Sequence, residues 1–159
     1  MDVAGRVIAR KRDDAKALWV LGGLYEIKVS GAESGGAVTL VEMTIPAGMG
    51  PPPHLHAEAE TVYVLDGTLR LHIGNDVLEG GPGSVFHIPK GKLENFEPAG
   101  ESVRILAVYT PGGIDKFFEE IGEIAPSRIV PPPMTSPPDF ERLAATALRY
   151  GLELRKPKG

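Results

Sequence analysis

Two histidines separated by one residue are the side chains with the clearest capacity for chemistry. They are His54 and His56 in "GMGPPPHLHAEAETVYVLDG", residues 48–67, and the carboxylate of Glu60 follows them. Side chains two positions apart on a strand point to the same side of it, so the two imidazoles face one side together. Two imidazoles and a carboxylate at this spacing are a recognised set of ligands for a divalent metal.

Other residues near this cluster have to be weighed against it. Glu58 has the same strand parity as the histidines and would exchange with Glu60 as a ligand if the strand has no bulge. His72 alternates with Leu71 and Ile73 on the polar face of its strand, where we expect it to contact solvent. Five further residues could line an apolar pocket, but aromatic and apolar strand residues more often belong to the core. These are Met43, Val62, Phe86, Phe96 and Tyr109.

The cluster lies among short apolar segments of strand character, which glycine-rich and proline-rich stretches separate. The Asp66-Gly67 pair predicts a tight hairpin between two antiparallel strands. The apolar stretch "LWVLGGLYEIKV", residues 18–29, predicts further strands at the N-terminal side of the sheet. The clearest predicted strands are residues 37–45, 60–65, 68–73, 84–89 and 102–109.

The last part of the chain predicts helices instead of strands. Residues 114–123 place Phe117, Phe118 and Ile121 on one helical stripe surrounded by acidic residues. A second helix follows, with Ser136 as its N-cap, proline just inside its start and Gly151 as its stop. The proline-rich residues 125–138 between them predict an extended connector.

Length and composition limit the kinds of site that the chain can build. Its 159 residues, 42% of them hydrophobic, fit one domain that buries roughly two-thirds of the surface exposed by the unfolded chain. The sequence contains no cysteine, which excludes a thiolate nucleophile, a zinc knuckle and an iron–sulfur site. A bound metal would therefore need imidazole and oxygen ligands.

The charge and hydropathy of the sequence indicate which partners and which cellular compartment to expect. The net charge is −4 and the basic residues are scattered, so we expect no binding to nucleic acid. We also expect no membrane association, because no apolar segment approaches the length of a membrane span. The N-terminal residues do not resemble a signal peptide, and we therefore expect a cytoplasmic protein.

The spacing of the cluster resembles the first signature motif of the cupin superfamily. That motif is matched by Gly48, His54, His56, Glu60 and Gly67, with intervals of five, one, three and six residues. The second cupin motif is matched in part by Gly83, Pro89 and Gly91 in "GSVFHIPKGKLEN".

The second motif departs from the family at two positions. Glu94 stands where the resemblance implies a third histidine ligand, and Pro98 stands where it implies an asparagine. His87 is an alternative replacement for that histidine, although a core or surface role is the favoured interpretation for it. By strand alternation, Glu94 and Phe96 should both point into the barrel.

The resemblance implies an all-β fold, the double-stranded β-helix or jelly-roll barrel of cupins, with a short helical C-terminal extension. We expect the barrel with its N-terminal strands at residues 1–112 and the helical extension, packed on it, at residues 113–159, in one domain overall. The chain further resembles small single-domain cupins of the quercetin-dioxygenase-like group, which often associate as dimers. A homodimer would also protect the edge left by the N-terminal strands.

The resemblance implies a divalent metal inside the barrel, with Fe, Mn, Ni and Zn as candidates. His54, His56, Glu60 and Glu94 are the expected ligands, and Glu94 is either a ligand or a general base. The implied activity is that of a metal-dependent, dioxygenase-like enzyme acting on a small aromatic or enolisable substrate. A metal-assisted isomerase, cyclase or lyase and a non-catalytic protein that binds small molecules are the alternatives.

Overall fold

Within the residues that the structure describes, the chain forms one antiparallel β-sheet of ten strands, two short α-helices and a 3-10 turn at Arg12–Asp14. A computed structural model describes residues 5–157. The all-β prediction with a helical C-terminal part is therefore confirmed. The strands are β1 Lys16–Val20, β2 Gly23–Val29, β3 Thr39–Pro46, β4 His54–His56, β5 Ala59–Ile73, β6 Asp76–Gly80, β7 Val85–Ile88, β8 Glu94–Thr110, β9 Glu123–Ile124 and β10 Leu152–Leu154; the helices are α1 Asp115–Ile121 and α2 Phe140–Leu148.

Strand β8 is the longest strand and organises the sheet. It pairs with β3, β4 and β5, and the strand order along the main path is β10-β4-β8-β3-β2-β1-β9. Strand β5 adds β6 and β7 at its other side. One hydrophobic core results, to which β1 to β3, β5 and β8 contribute alternate residues.

The predicted hairpin at Asp66-Gly67 is wrong. Strand β5 runs without interruption from residue 59 to residue 73, and both of its halves pair with β8. The register against β8 shifts on either side of Gly67, which has φ +74°. A side chain at position 67 would meet the Ser102 carbonyl oxygen at 2.3 Å. The glycine therefore permits a bulge and a close approach of two strands rather than a reversal of the chain.

The C-terminal helices form as predicted, with one change at the second helix. Helix α2 begins after Asp139, whose side chain accepts a hydrogen bond from the Arg142 backbone N–H at 3.2 Å. Ser136 is therefore not the N-cap, because two prolines follow it and the helix begins only beyond them. In the described part of the chain, neither helix has the length and apolar character needed to cross a membrane.

The helices cover the core on one side. In α1, Phe118 packs edge-on against Tyr25 of β2, with ring centroids 5.0 Å apart, and contacts Tyr109 of β8 at 6.1 Å. Leu143 and Ala147 are the buried residues of α2. The chain then returns to the sheet as β10, which pairs with β4.

Two contacts fix the connector between the helices to the sheet. Trp19 Nε1 donates a hydrogen bond to the Ile129 carbonyl at 2.8 Å. The Arg128 guanidinium contacts the buried Glu26 carboxylate at 3.1 Å. Glu26 lies opposite Glu42 across β2 and β3, so the arginine also reduces repulsion between two carboxylates. These contacts hold the connector near the site described below.

Candidate metal centre

Three strands bring four titratable side chains together inside the protein. Strand β4 supplies His54 and His56, β5 supplies Glu60, and β8 supplies Glu94. His54 and Glu94 are direct partners in the pairing of β4 with β8, which places their side chains side by side. All four are buried, and Glu60 is 0% exposed.

The polar atoms of these four residues converge on one point. His56 Nε2 lies 2.9 Å from Glu60 Oε2 and 3.2 Å from Glu94 Oε1. His54 Nε2 lies 3.1 Å from the same Glu94 oxygen. One nitrogen or oxygen atom from each of the four residues lies within 4.8 Å of all the others. This compactness is what a single metal ion requires of its ligands.

Backbone carbonyls orient both imidazole rings. His54 Nδ1 donates to the Pro52 carbonyl at 2.8 Å, and His56 Nδ1 donates to the Glu58 carbonyl at 2.7 Å. In the neutral tautomer that these bonds select, Nε2 carries a lone pair. Both lone pairs then point toward carboxylate oxygens, an arrangement that is favourable only with a proton or a metal cation between the atoms.

The donor set fits a divalent cation. Glu60 Oε1 and Glu94 Oε2 are buried and have no hydrogen-bond partner among the described residues. Two neutral imidazoles and two carboxylates carry two negative charges, which a divalent ion would neutralise. Burying such charges without a partner costs several kcal/mol per ion. Hard oxygen ligands combined with imidazole suit first-row metals such as iron and manganese.

The four side chains also change one another's pKa values. Burial disfavours a charged His56, but hydrogen bonds with Glu60 and Glu94 outweigh it and raise the pKa of His56 to about 10. Burial and the charge of Glu94 raise the pKa of Glu60 to about 7. Burial acts on Glu94 too, yet its contacts with His54 and His56 prevail and lower the pKa of Glu94 to about 2. Protons and a metal ion would therefore compete for the same atoms.

The structure separates the alternative residues from this cluster. Strand β4 ends at His56 and β5 begins at Ala59, so the strand parity that relates Glu58 to the histidines is interrupted. Glu58 supports the site through its carbonyl, and its side chain stays outside the cluster. His72 Nε2 lies 3.1 Å from Glu97 Oε1 on the opposite face of β5 and β8. His87 is exposed and pairs with the Thr61 hydroxyl at 2.9 Å.

Two cavities adjoin the cluster. A small inner cavity of about 40 Å³ reaches His54 and is lined by Met43, Phe96 and Tyr109. A larger outer cavity of about 860 Å³ reaches Glu94 and lies between the sheet and the connector. Glu94 is the one member of the four-residue cluster that lines the outer cavity.

Sequence analysis assigned several cavity-lining residues to the core. Met43, Phe96 and Tyr109 are indeed buried, but they also face the inner cavity. Their inward alternation on β3 and β8 was the available signal. Leu143, Leu152 and Leu154 of the C-terminal part also line this cavity, and no local pattern indicated it. Burial of Glu94 and Phe96 agrees with the alternation predicted for β8.

Comparison with known proteins finds matches over part of the chain. Residues 41–109 match the family described as "Cupin domain". Gentisate 1,2-dioxygenase of Haloferax sp is 33% identical over 51 residues, which are 32% of this chain and 14% of that protein. Quercetin 2,3-dioxygenase of Bacillus subtilis is 23% identical over 109 residues, which are 68% of this chain and 32% of that protein. The chain thus spans a third or less of each relative.

Solved structures show the same fold. The polyketide cyclase RemF from Streptomyces resistomycificus aligns with a TM-score of 0.58 and 24% identity, over 66% of this chain and 80% of that one. An RmlC-like cupin from Shewanella frigidimarina aligns with a TM-score of 0.59 and 12% identity, over 70% of this chain and 96% of that one. At these low sequence identities, the structural alignments establish a common architecture and nothing more.

Proposed function

Because the chain has the cupin fold and carries a cupin domain at residues 41–109, we propose that it is a metal-dependent enzyme of the dioxygenase type. Its substrate is a small aromatic or enolisable organic molecule. His54, His56, Glu60 and Glu94 hold one divalent metal ion, with iron, manganese, nickel and zinc as candidates. The observation that carries the proposal is the buried convergence of these four side chains, with two carboxylate oxygens left unpartnered.

A divalent metal in this position supplies a Lewis acid and, if it is redox-active, electrons for chemistry with dioxygen. The residues of the chain define the surroundings. The two Nδ1 hydrogen bonds to backbone carbonyls hold the imidazoles rigidly and keep both Nε2 atoms available. Met43, Phe96 and the ring of Tyr109 give the inner cavity a largely apolar lining, which limits access of water.

The two carboxylates have different tasks in this proposal. Glu60 is fully buried behind His56, so it serves as a ligand. Glu94 lines the outer cavity, where it can approach an acidic O–H or C–H group of a substrate. Glu94 is thus proposed as a ligand that also accepts the substrate proton.

Metal analysis followed by oxygen measurements tests the proposal. Purified protein is reconstituted separately with Fe²⁺, Mn²⁺, Ni²⁺ and Zn²⁺, desalted and analysed for metal per chain. Oxygen uptake is then followed with gentisate and quercetin, the compounds in the names of the relatives, and with catechol. We expect one metal ion per chain and uptake with at least one compound. The double variant His54→Ala/His56→Ala should bind no metal, and a wild-type protein that retains none would refute the proposal.

A second candidate is a metal-assisted isomerase, cyclase or lyase. The observation that favours it is Glu94, a carboxylate where the cupin motif implies a histidine, because a carboxylate can move a proton without redox chemistry. Product formation at an unchanged rate under anaerobic conditions would favour this candidate over the dioxygenase. Binding of a compound without any turnover would favour a non-catalytic role.

A further inference from the structure

The C-terminal residues 113–157 form a large part of the path to the metal centre. Residues 134–138 of the connector, Phe140 and Leu143 of α2, and Arg155 beyond β10 all line the outer cavity. Leu143, Leu152 and Leu154 also line the inner cavity. The cupin domain match ends at residue 109. Part of the wall of each cavity therefore comes from outside the matched residues.

Five residues line both cavities, and we call this shared boundary the neck. One of them, Leu143, comes from the C-terminal part of the chain and is 7% exposed. The others come from the β1–β2 turn, the proline stretch before His54 and strand β8. The neck consists of Leu21, Pro51, Pro52, Phe96 and Leu143.

The volumes decide where a substrate can lie. The inner cavity of about 40 Å³ has room for only a few water-sized molecules. The outer cavity of about 860 Å³ is within the range of roughly 300–1,000 Å³ of sites that hold drug-sized ligands. An organic substrate would therefore keep its body in the outer cavity and direct one oxygenated edge past the neck toward the four-residue cluster, of which Glu94 lines this cavity.

The outer cavity offers side chains that can pack against flat rings, alongside the charged Glu97, Arg155 and Lys156. Met49 and Phe96 contribute from the sheet side, while Met134 and Phe140 contribute from the C-terminal side. Thioether and aromatic side chains pack well against flat apolar ligands. The connector that carries this wall is held to the sheet upstream of it, at Arg128 and Ile129.

We propose that the C-terminal part of the chain is the specificity element of this site. Its connector wall at Met134 accommodates the body of a multi-ring apolar substrate, and Leu143 controls passage of the reactive edge to the metal. This inference rests on the proposed function in one respect, namely that the substrate contacts a metal held by the four-residue cluster.

Binding of two chelating probes of different size to the zinc-loaded protein tests the proposal. The probes are 4-nitrocatechol, which has one ring, and 3-hydroxyflavone, which has three, and both bind metals through adjacent oxygens. Zinc excludes oxidation of the probes, and absorbance titration reports binding directly. We expect 3-hydroxyflavone to bind at least about tenfold more tightly, because only its body fills the outer cavity.

Three variants test which residues determine the affinity for each probe. Met134→Trp fills the outer cavity and should weaken 3-hydroxyflavone binding at least about tenfold, while 4-nitrocatechol binding changes less than about twofold. Leu143→Phe narrows the neck and should weaken binding of both probes. Leu148→Phe is the matched control, because Leu148 lies on the same helix, is 64% exposed and lines neither cavity. It should leave both affinities unchanged.

The outcomes separate this inference from the proposed function. A wild type that retains none of the four candidate metals, zinc included, would refute both. If zinc is bound but 3-hydroxyflavone binds no more tightly than 4-nitrocatechol, or Met134→Trp leaves its affinity unchanged, the specificity proposal is wrong and the metal centre stands. The Met134 variant decides the question even if Leu143→Phe does not fold, and zinc content at the wild-type level verifies that each variant is intact.

Discussion

Glu94 places a second carboxylate beside Glu60 in a buried site. Two adjacent buried anions are unfavourable unless cations balance them, since each costs several kcal/mol when desolvated. Here the balance comes either from protonated imidazoles or from a divalent ion that the same atoms bind. The carboxylate at position 94 therefore shifts the site toward metals that prefer anionic oxygen ligands.

The first prediction concerns this residue. Glu94→Gln keeps the size of the side chain but removes its charge. Metal affinity should therefore fall about tenfold to a hundredfold. Glu94→His should bind metal more tightly than Glu94→Gln does. Its metal preference should shift toward Zn²⁺ or Ni²⁺, which favour imidazole ligands. Competition with a chromophoric chelator measures both effects. Glu97→Gln, on the opposite face of β8, is the matched control, and an affinity of Glu94→Gln equal to that of this control would contradict the assignment.

The second prediction concerns pH. In protein prepared without metal, the pKa of His56 is raised to about 10 by Glu60 and Glu94 despite burial. Its Nε2 atom is therefore protonated at neutral pH, and a metal must displace that proton. The apparent association constant should rise up to about tenfold per pH unit between pH 7 and 9 for each proton displaced.

Chelator competition at several pH values measures this slope, and calorimetry in buffers of different ionisation enthalpy counts the protons released. His72→Ala should have the same slope as the wild type, because His72 lies outside the cluster. An affinity that does not change with pH would mean that neither histidine gives up a proton on binding.

The sequence predicts some of these four ligands more directly than others. His54 and His56 follow from strand alternation alone, because both lie on one short strand. The choice of Glu60 over Glu58 depends on the interruption of the strand at residues 57–58, which alternation cannot reveal. Glu94 lies on a different strand, and only its position in a known motif related it to the histidines.

Among the secondary-structure elements, the hairpin predicted from the Asp66-Gly67 pair is wrong for a specific physical reason. Such a pair indicates a hairpin only if the two flanking segments pair with each other. Here both pair with the long strand β8, for example Val64 with Ile105 and Leu69 with Pro98. Long-range pairing therefore overrode a local turn signal. The helices were easier to predict, because their apolar stripe and punctuation are local.

The third prediction concerns strand β10. It is the partner of β4 over its whole length, with Leu152 opposite His56 and Leu154 opposite His54. On its other side β4 has one pair only, His54 with Glu94. A chain that ends at Gly151 should therefore lose metal affinity by at least about tenfold, because the histidine strand loses its main support.

Metal titration of the shortened and full-length chains measures the effect, with circular dichroism to verify that the sheet persists. Glu153→Ala serves as the control, since this exposed side chain leaves the β10 backbone unchanged. Equal affinities in the shortened and full-length chains would indicate that β4 keeps its geometry without β10.

For the whole molecule, the fourth prediction is a homodimer. The expectation came from the exposed edge of the N-terminal strands, and β9 covers part of that edge by pairing with Leu18 and Trp19 of β1. Association by way of the remaining sheet surface stays a prediction. Light scattering at micromolar concentration should report about twice the chain mass of 17.0 kDa. A mass equal to that of one chain would exclude it.

The C-terminal contribution to the site was beyond sequence reasoning. The connector and helix α2 are recognisable as elements, but the surface on which they pack is not encoded in their periodicity. Leu143 follows the helical pattern of a buried residue, and nothing local indicates that it is buried beside a cavity. Such contacts depend on segments that meet only in three dimensions.

The pairing of β10 with β4 also orders the events of folding. Hairpins such as β1–β2 and β5–β6 join neighbouring segments, so they form quickly and at low entropic cost. The histidine strand acquires its partner from the far end of the described chain, a non-local contact that forms slowly. We therefore expect a metal ion bound by the proposed ligands to enter late in folding, once β10 has paired with β4, and not to nucleate the fold.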